Sequence, residues 1–114
     1  MIPETNNQVF HAIADPNRRR LLDLLAASDS PAQELAAGFE ISFPAVSQHL
    51  KVLLDAGLVT RRAQGRQRIY RLAPAKLKAV DEWTAAYRRF WESRLKRLGQ
   101  LLDSKEAVTK EDET

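Results

Sequence analysis

The sequence predicts a mostly helical fold with one small β-ribbon, and three observations support this prediction. Apolar residues recur at helical spacing over four segments between residues 6 and 57, and again over a long segment after Pro74. Two short segments of strand-like composition, LVTRRA and QRIYRL, flank a turn at Gln64-Gly65-Arg66. A length of 114 residues, with 44% hydrophobic and 29% charged content, suits one domain with a single core.

The first two helices are predicted over residues 6–14 and 16–27, with Asp15 and Pro16 between them. The carboxylate of Asp15 can accept from the free amides that begin the second helix. Pro16 suits the first helical position, where its missing amide hydrogen costs nothing. Four leucines give the second helix a wide apolar face, which is typical of a central helix.

A pair of helices joined by a tight turn follows. Ser30 and Gln33 have the spacing of a capping box for a short third helix, which Gly38 is predicted to end. Ser42 can cap the fourth helix and Gly57 closes it. The apolar core positions of the fourth helix, at spacings of four, three and one, are Val46, Leu50, Leu53 and Leu54.

The order of elements is therefore helix, turn, helix and β-ribbon. This order predicts a winged helix-turn-helix with about five helices and a two-stranded wing, and the second helix of such a unit fits the major groove of DNA, about 12 Å wide. We expect this domain to cover residues 1–103.

Charge is distributed unevenly along the chain, whose formal net charge is +3. Five acids and two lysines from Asp103 onward give a local charge of −3 and leave +6 on residues 1–102. Between Ala56 and Val80 there are seven Lys or Arg residues and no acid. A stretch of one sign attracts a polyanion, although a solvated basic face is the alternative interpretation.

A long helix is predicted from Pro74 to about Asp103. Such a helix spans ~45 Å, which is more than a domain of this size can cover. Leu77 and Val80 are expected to pack on the protein's own core, whereas the distal aromatic residues are expected to pair with a second copy of the chain. Residues 104–114 have few large apolar side chains and are predicted to form a disordered acidic tail.

These features resemble the ArsR-type winged helix-turn-helix regulators of bacteria. The motifs that carry the resemblance are FHAIADPNRRRLLDLL at residues 10–25, ISFPAVSQHLKVLLDAGLV at residues 41–59 and GRQRIYRL at residues 65–72. The resemblance implies a homodimer, formed by the first and last helices, that binds pseudo-palindromic operators and usually represses transcription. The predicted dimer interface comprises Val9, Phe10, Trp83, Tyr87, Phe90, Trp91, Leu95 and Leu98.

The chain departs from the metal-sensing members that it resembles. Those sensors carry paired cysteines in the first helix of the helix-turn-helix, or His and acidic ligands on the terminal helices. Here the corresponding helix has the sequence PAQELAAGF, and the chain contains no cysteine. Zinc and arsenic require Cys or His at two or more positions. We therefore expect a non-metal-sensing regulator without a metal site or cofactor, and a metal-responsive sensor is the less favoured alternative.

The exposed face of the fourth helix is predicted to recognise DNA. Gln48 can pair with adenine, Ser47 can donate or accept, and Pro44 and Ala45 can contact a thymine methyl group. Phosphates are expected at the helix N-terminus and at the basic side chains of this helix and the wing. The predicted DNA-binding residues are Ser42, Pro44, Ala45, Ser47, Gln48, His49, Lys51, Arg62, Arg66 and Arg68.

The roles of His49 and of three consecutive arginines in the second helix leave alternatives open. His49 can hydrogen-bond a phosphate or base, or it can pack against the preceding helix; the resemblance favours the DNA surface. Arg18, Arg19 and Arg20 sweep most of a helical turn, so they cannot all face one ligand. One or two of them are candidates for phosphate contacts, and the others for solvation or pairing with nearby acids.

Other functional classes fit less well. A winged helix that serves only as a protein-interaction module usually loses positive charge on its recognition face, whereas this one keeps Lys51 and has no acid from Ser42 to Leu54. No nucleophile motif or glycine-rich phosphate loop indicates an enzyme. No apolar signal or membrane span is visible, so a cytoplasmic location is expected. Candidates for relieving repression are a small apolar ligand at the aromatic interface, a partner protein, or protein abundance.

Overall fold

The computed structural model describes the backbone of residues 4–112 and the side chains of residues 6–103. Over that range it contains six α-helices, a 3-10 turn at Pro74–Leu77 and three short strands. The helices are α1 (Glu4–Ile13), α2 (Pro16–Ala27), α3 (Ala32–Ala36), α4 (Phe43–Asp55), α5 (Lys78–Ala85) and α6 (Arg88–Asp112). The strands are β1 (Ser30–Pro31), β2 (Val59–Gln64) and β3 (Gln67–Leu72).

The predicted mostly helical fold with a small sheet is confirmed. The chain divides into two compact units, with the division after Val80. In the described part of the chain, no helix is both long enough and apolar enough to cross a membrane.

The first unit has one hydrophobic core, to which α1, α2, α4 and the sheet contribute. Burial of one Leu or Val side chain stabilises a fold by about 1.5–3 kcal/mol, so these elements hold one another in fixed positions. Because α4 supplies three of the core residues, its rotation about its own axis is set by packing. The fully buried side chains are Val9, Leu21, Val46, Leu50, Leu53, Leu58 and Val59.

The junction between α1 and α2 is held by polar contacts. The carboxylate Oδ1 of Asp15 accepts from the backbone amides of Asn17 at 2.8 Å and Arg18 at 3.2 Å, which confirms the predicted cap. The Arg18 guanidinium donates to the carbonyls of Ala12 (2.6 Å) and His11 (3.0 Å). These carbonyls belong to the last turn of α1, which has no further helical turn to pair with, so a side chain of α2 helps to close the helix that precedes it.

The next two arginines of α2 are also engaged within the fold. Arg19 donates to the carbonyls of Ile13 at 2.9 Å and Ala14 at 3.1 Å. The guanidinium of Arg20 lies 5.0 Å from the centroid of the Phe39 ring, within the range of a cation–π interaction. Within the described residues, this basic cluster therefore serves the α1–α2–α3 packing.

The prediction that Ser30 caps α3 is wrong. Ser30 and Pro31 form β1, which pairs antiparallel with β3 so that Ser30 lies opposite Tyr70. Pro31 is the cap residue of α3, without a side-chain hydrogen bond. The backbone of Ser30 joins the sheet, so the hairpin of β2 and β3 that forms the wing is extended by β1 to a three-stranded sheet in the order β1-β3-β2.

The ends of α3 and α4 differ in their use of glycine. Gly57 closes α4 as predicted, with a φ of 77° in the left-handed region that favours glycine. A Cβ atom there would lie 2.6 Å from Nζ of Lys76. Gly38 does not have a positive φ, and α3 ends at Ala36 with Ala37 as its C-terminal cap. Gly38 is therefore not the left-handed terminator that its sequence position indicates.

One continuous helix after Pro74 was also a wrong prediction, because the 3-10 turn, α5 and α6 follow one another there. Near the break, the amide of Tyr87 donates to the Thr84 carbonyl at 2.9 Å, a three-residue spacing that tightens the turn. Arg88 pairs with Asp81 across the break. The predicted tail at 104–114 lies outside the residues whose side chains are described, and it stays a prediction.

Candidate nucleic-acid interface

The N-terminal turn of α4 is fixed by a side-chain cap. Oγ of Ser42 accepts from the backbone amide of Ala45 at 3.2 Å, and Pro44 follows within the first turn. This confirms the predicted cap. The positive end of the helix dipole is at this turn, so an anion is favoured there.

The two faces of α4 have different surroundings. Val46, Leu50 and Leu53 are buried in the core of the first unit. Gln48 and Lys51 are exposed on the opposite side. Helical periodicity and the buried face together therefore decide which side chains are presented to a ligand.

The wing is a hairpin with a glycine in its turn. Gly65 has a φ of 63° and stands between β2 and β3, where a positive φ matches the twist of the two strands. The register places Arg61 opposite Tyr70 and Arg62 opposite Ile69. Because side chains alternate between the two faces of a strand, Arg61 and Arg62 point to opposite sides of the wing.

A concavity of about 650 Å³ lies between α4, the wing and the segment that begins α3. It brings together six of the ten side chains that the sequence predicts to bind DNA. It also includes Phe43, Gln33, Arg61 and Gln67, which were not predicted. We call this concavity the recognition groove; the six predicted residues that line it are Pro44, Ser47, Gln48, Lys51, Arg66 and Arg68.

The recognition groove is electropositive. Of the described residues that line it, Lys51, Arg61, Arg66 and Arg68 carry positive charge and Asp55 carries negative charge. All four cations are exposed. A concave surface lined mainly by one sign of charge concentrates the opposite sign, and the phosphates of a duplex supply it.

Arg62 lies outside the recognition groove. Its Nη1 is 3.1 Å from Oδ2 of Asp29, in an exposed ion pair. The register turns Arg61 to the face that carries Tyr70, and both residues line the groove. In the sequence the two arginines are simply adjacent. Only the pairing of β2 with β3 shows that Arg61 faces the groove and Arg62 does not.

A model of the bacterial regulatory proteins of the arsR family matches residues 15–61, from the cap of α2 into β2. The HTH-type transcriptional regulator Rv2034 of Mycobacterium tuberculosis is 41% identical over 98 residues, which cover 86% of this chain and 89% of that protein. The transcriptional repressor SdpR of Bacillus subtilis is 39% identical over 68% of this chain and 86% of its own length. The chain belongs to the ArsR family.

A solved structure supports the same conclusion. The crystal structure of an ArsR family transcriptional regulator superposes with a TM-score of 0.71 at 34% identity, over 82% of this chain and 96% of that one. The predicted winged helix-turn-helix and the predicted resemblance to ArsR regulators are both confirmed. The chain is a DNA-binding transcriptional regulator of this family.

Two more of the predicted DNA-binding residues, Ala45 and His49, lie outside the groove lining of this ArsR regulator. His49 is half-buried, and its Nδ1 lies 3.3 Å from Nη1 of Arg18 on α2. A guanidinium only donates, so Nδ1 of His49 accepts in this contact. His49 thus contacts α2 and not the preceding helix that the packing interpretation named, and its role at DNA stays a prediction.

The same polar cluster influences Asp15. Partial burial acts to raise the pKa of this carboxyl, but hydrogen bonds from the backbone amides of Arg18 and Asn17 and the positive charge of Arg18 together lower it by more. The net effect is a pKa below the ordinary value of an aspartate. The carboxylate at the start of α2 is thus held in its ionised form by the groups around it.

The described residues of this ArsR member hold no side-chain cluster that meets the ligand requirements of a metal ion. In that part of the chain, no three His, Asp or Glu side chains lie together in a way that could bind an ion, and the full sequence has no cysteine.

Proposed function

We propose that this ArsR regulator is a homodimeric repressor that binds a pseudo-palindromic operator through the recognition groove. The observation that supports the proposal most strongly is the groove itself. It combines hydrogen-bonding side chains on the exposed face of α4 with four cations from α4 and the wing. Hydrogen-bonding side chains can recognise base edges, and cations can bind phosphates.

Within this proposal, the exposed face of α4 recognises bases. Gln48 pairs with the N6 and N7 atoms of adenine, and Ser47 donates to or accepts from a neighbouring base. Pro44 offers an apolar surface beside them. Ser42 contributes by fixing the first helical turn, whose free amides face a phosphate.

Phosphate contacts come from Lys51 on α4 and from the wing arginines. Arg66 and Arg68 were expected in this role, and Arg61 joins them because it lines the same groove. Arg62 is assigned to the Asp29 ion pair instead. If the dimer neutralises six to ten phosphates, affinity should fall by about 10³–10⁵ between 50 and 200 mM salt.

The proposed dimer interface is the apolar side of α5 and α6. Trp83 and Tyr87 stack edge to face at 5.7 Å, and Tyr87 continues to Phe90 at 6.5 Å. A contiguous aromatic and leucine surface is rarely left uncovered by a monomer, and a second copy covers it with a self-complementary one. The exposed members, 42–61% accessible, are Trp83, Tyr87, Phe90, Trp91, Leu95, Leu98, Leu101 and Leu102.

The predicted contribution of α1 to this interface is smaller than expected. Val9 is 0% exposed and belongs to the core of its own unit, so its side chain is already covered within one subunit. Phe10 is half-buried and remains in the proposed interface. Two copies related by a two-fold axis would present their recognition helices to major grooves about 34 Å apart.

Repression is proposed because the similar protein SdpR is a transcriptional repressor. The proposed site of action is the bacterial cytoplasm, where operator DNA lies, and the proposed activity is binding without catalysis. For relief of repression, we propose an apolar small molecule that binds at the aromatic dimer interface. A ligand there would alter the spacing of the two recognition helices in the dimer.

The test is selection of bound fragments from random duplex DNA, followed by titration of the selected duplex and of a scrambled one at one salt concentration. The proposal predicts a pseudo-palindromic motif and binding about 10³-fold or more tighter than to the scrambled duplex. Equal binding of both duplexes would show a non-specific DNA-binding protein and contradict the proposal. No binding of either would support the alternative of a protein-interaction module.

A further inference from the structure

Phe43 is exposed in an unusual place. Among the described residues of the first unit, the large apolar side chains with substantial exposure are Leu24 at 38% and Phe43 at 46%. Leu24 lies on α2, away from the groove lining. Phe43 is the first residue of α4 and lines the recognition groove.

Packing does not account for this phenylalanine. In the described part of the chain, neither the core nor the apolar side chains packed against it include Phe43. The cap of α4 is supplied by the neighbouring Ser42, whose bond goes to Ala45, so helix initiation does not require an aromatic residue either. Phe43 therefore presents an exposed apolar ring beside the hydrogen-bonding and cationic side chains of the groove, where it is available to an apolar group of a ligand.

The position of Phe43 identifies that group. The N-terminal turn of a recognition helix is the part that contacts base edges in the major groove. Ser47 follows Phe43 by four residues and Gln48 follows Pro44 by four, so the four side chains share one helical face. On the floor of the major groove, the apolar group is the C5 methyl of thymine, because the other base-edge groups are hydrogen-bond donors and acceptors.

We propose that Phe43, with Pro44 beside it, recognises a thymine methyl group and makes the operator preference of this protein depend on that methyl. Phe43 is thus a specificity-determining residue one helical turn before Ser47. This inference rests on the proposed function and adds a named base feature to it. The sequence led us to expect a thymine methyl contact from Pro44 and Ala45; the new assignment is to the exposed ring of Phe43, which lines the groove, whereas Ala45 does not.

The size of the effect follows from the apolar area of one methyl group that binding removes from water. Burial of one such group contributes about a fourfold change in an equilibrium constant. A symmetrical duplex with one methyl contact in each half-site would therefore change by about fifteenfold. A substitution that weakened DNA binding in general would lower the affinity for every duplex and would not depend on the methyl group of one thymine.

The experiment uses the full chain and the duplex obtained by selection. Each thymine is replaced in turn by deoxyuridine, symmetrically in both half-sites, so that only the C5 methyl is removed. Dissociation constants are measured for the wild type, Phe43→Ala and Phe43→Leu. Leu24→Ala is the matched control, since it removes an exposed apolar side chain outside the groove lining.

We expect one symmetry-related thymine position at which deoxyuridine weakens wild-type binding by about fifteenfold. Phe43→Ala should bind the thymine and deoxyuridine duplexes equally, Phe43→Leu should keep part of the difference, and Leu24→Ala should keep all of it. Thermal unfolding of each variant confirms that the folded state is being compared.

Two different failures are distinguishable. If the wild type prefers its selected duplex but no thymine is sensitive to methyl removal, or if Phe43→Ala keeps the full sensitivity, this inference is overturned while the proposed function stands. If the wild type has no preference among duplexes, the proposed function fails and this inference fails with it.

Discussion

Gln48 and His49 are neighbours in the sequence, but the structure places them in different surroundings. Gln48 is exposed and lines the recognition groove, whereas His49 is half-buried beside Arg18. Successive residues of an α-helix are separated by a rotation of about 100°, so two adjacent polar side chains need not serve the same ligand. We therefore propose that Gln48 acts in recognition and His49 in packing.

The contrast predicts opposite consequences for two substitutions. Gln48→Ala should leave the free energy of unfolding unchanged and lose about 1–3 kcal/mol of discrimination at one base pair. His49→Ala should lower the free energy of unfolding by about 1 kcal/mol without altering the preferred sequence. Urea denaturation and competition binding against single-base-pair variants measure the two effects. A changed base preference in His49→Ala, with unchanged stability, would place His49 at the DNA instead.

The Asp15 carboxyl makes the free energy of unfolding depend on pH in the acidic range. Its pKa in the folded state is lower than the value of about 3.9 in an unfolded chain. A carboxyl whose folded pKa is depressed stabilises the fold above the unfolded pKa, and this contribution is lost as pH falls through the folded value. The free energy of unfolding should therefore fall more steeply below pH ~4 in the wild type than in Asp15→Asn.

The matched variant Asp15→Asn keeps a side-chain oxygen that can cap α2 but does not titrate. Chemical denaturation from pH 3 to pH 7 measures both proteins under the same conditions. Identical slopes below pH 4 for the wild type and the variant would contradict the role assigned to the Asp15 carboxylate.

At the scale of elements, the wing shows how register assigns function. Arg61 and Arg62 differ by one position, and the pairing of β2 with β3 turns them to opposite faces. The same logic applies along β3, where Arg68 and Tyr70 both line the groove. A one-residue slip of the hairpin would exchange the two faces.

This geometry predicts that Arg61→Ala weakens binding to all DNA sequences about equally and reduces the salt slope by about 2, because each subunit of the dimer loses one phosphate contact. Arg62→Ala should change DNA affinity little, because it breaks an exposed ion pair worth about 0–1 kcal/mol. Titrations at several salt concentrations, with specific and scrambled duplexes, measure both slopes. A larger loss of DNA affinity in Arg62→Ala than in Arg61→Ala would mean that the hairpin contacts DNA with its other face.

Local signals explain which elements could be predicted from the sequence. Asp15, Ser42 and Gly57 act on backbone atoms within a few residues, so their roles as caps and terminator follow from residue type and position. Gly65 likewise marks its turn because a positive φ favours glycine. The starts of α2 and α4 and the hairpin turn are therefore where the predictions were confirmed.

Non-local pairing explains what the sequence could not settle. Ser30 carries a good capping signal, yet its backbone pairs with Tyr70, forty residues away in the chain. The groove position of Arg61 depends on strand register. Phe43 was missed because an apolar residue beside apolar positions resembles core, and its exposure is visible only once α4 is packed.

The break between α5 and α6 was missed for a related reason. The apolar spacing runs through Tyr87 without interruption, so periodicity alone predicts one helix. A threonine hydroxyl that bonds to the backbone of its own helix favours bending, and Oγ1 of Thr84 donates to the Asp81 carbonyl at 3.1 Å.

At the scale of the whole molecule, the second unit supplies the surface that we propose for dimerisation. Replacing Leu95 by Glu would place an unpaired charge in that interface, at a cost that association cannot offset. We expect Leu95→Glu to sediment as a monomer and to lose specific DNA binding, because one recognition helix alone contacts half an operator. Leu24→Glu, on α2, is the control and should remain a dimer; a dimeric Leu95→Glu would contradict the proposed interface.

The central claim is that two recognition grooves, held by one dimer, bind the same face of a duplex. Affinity for the selected operator, with and without five base pairs inserted between its half-sites, tests this claim most directly. Five base pairs rotate one half-site by about half a helical turn. We expect the insertion to lower affinity to the level of scrambled DNA, and an affinity that is unchanged by the insertion would contradict the proposed dimer.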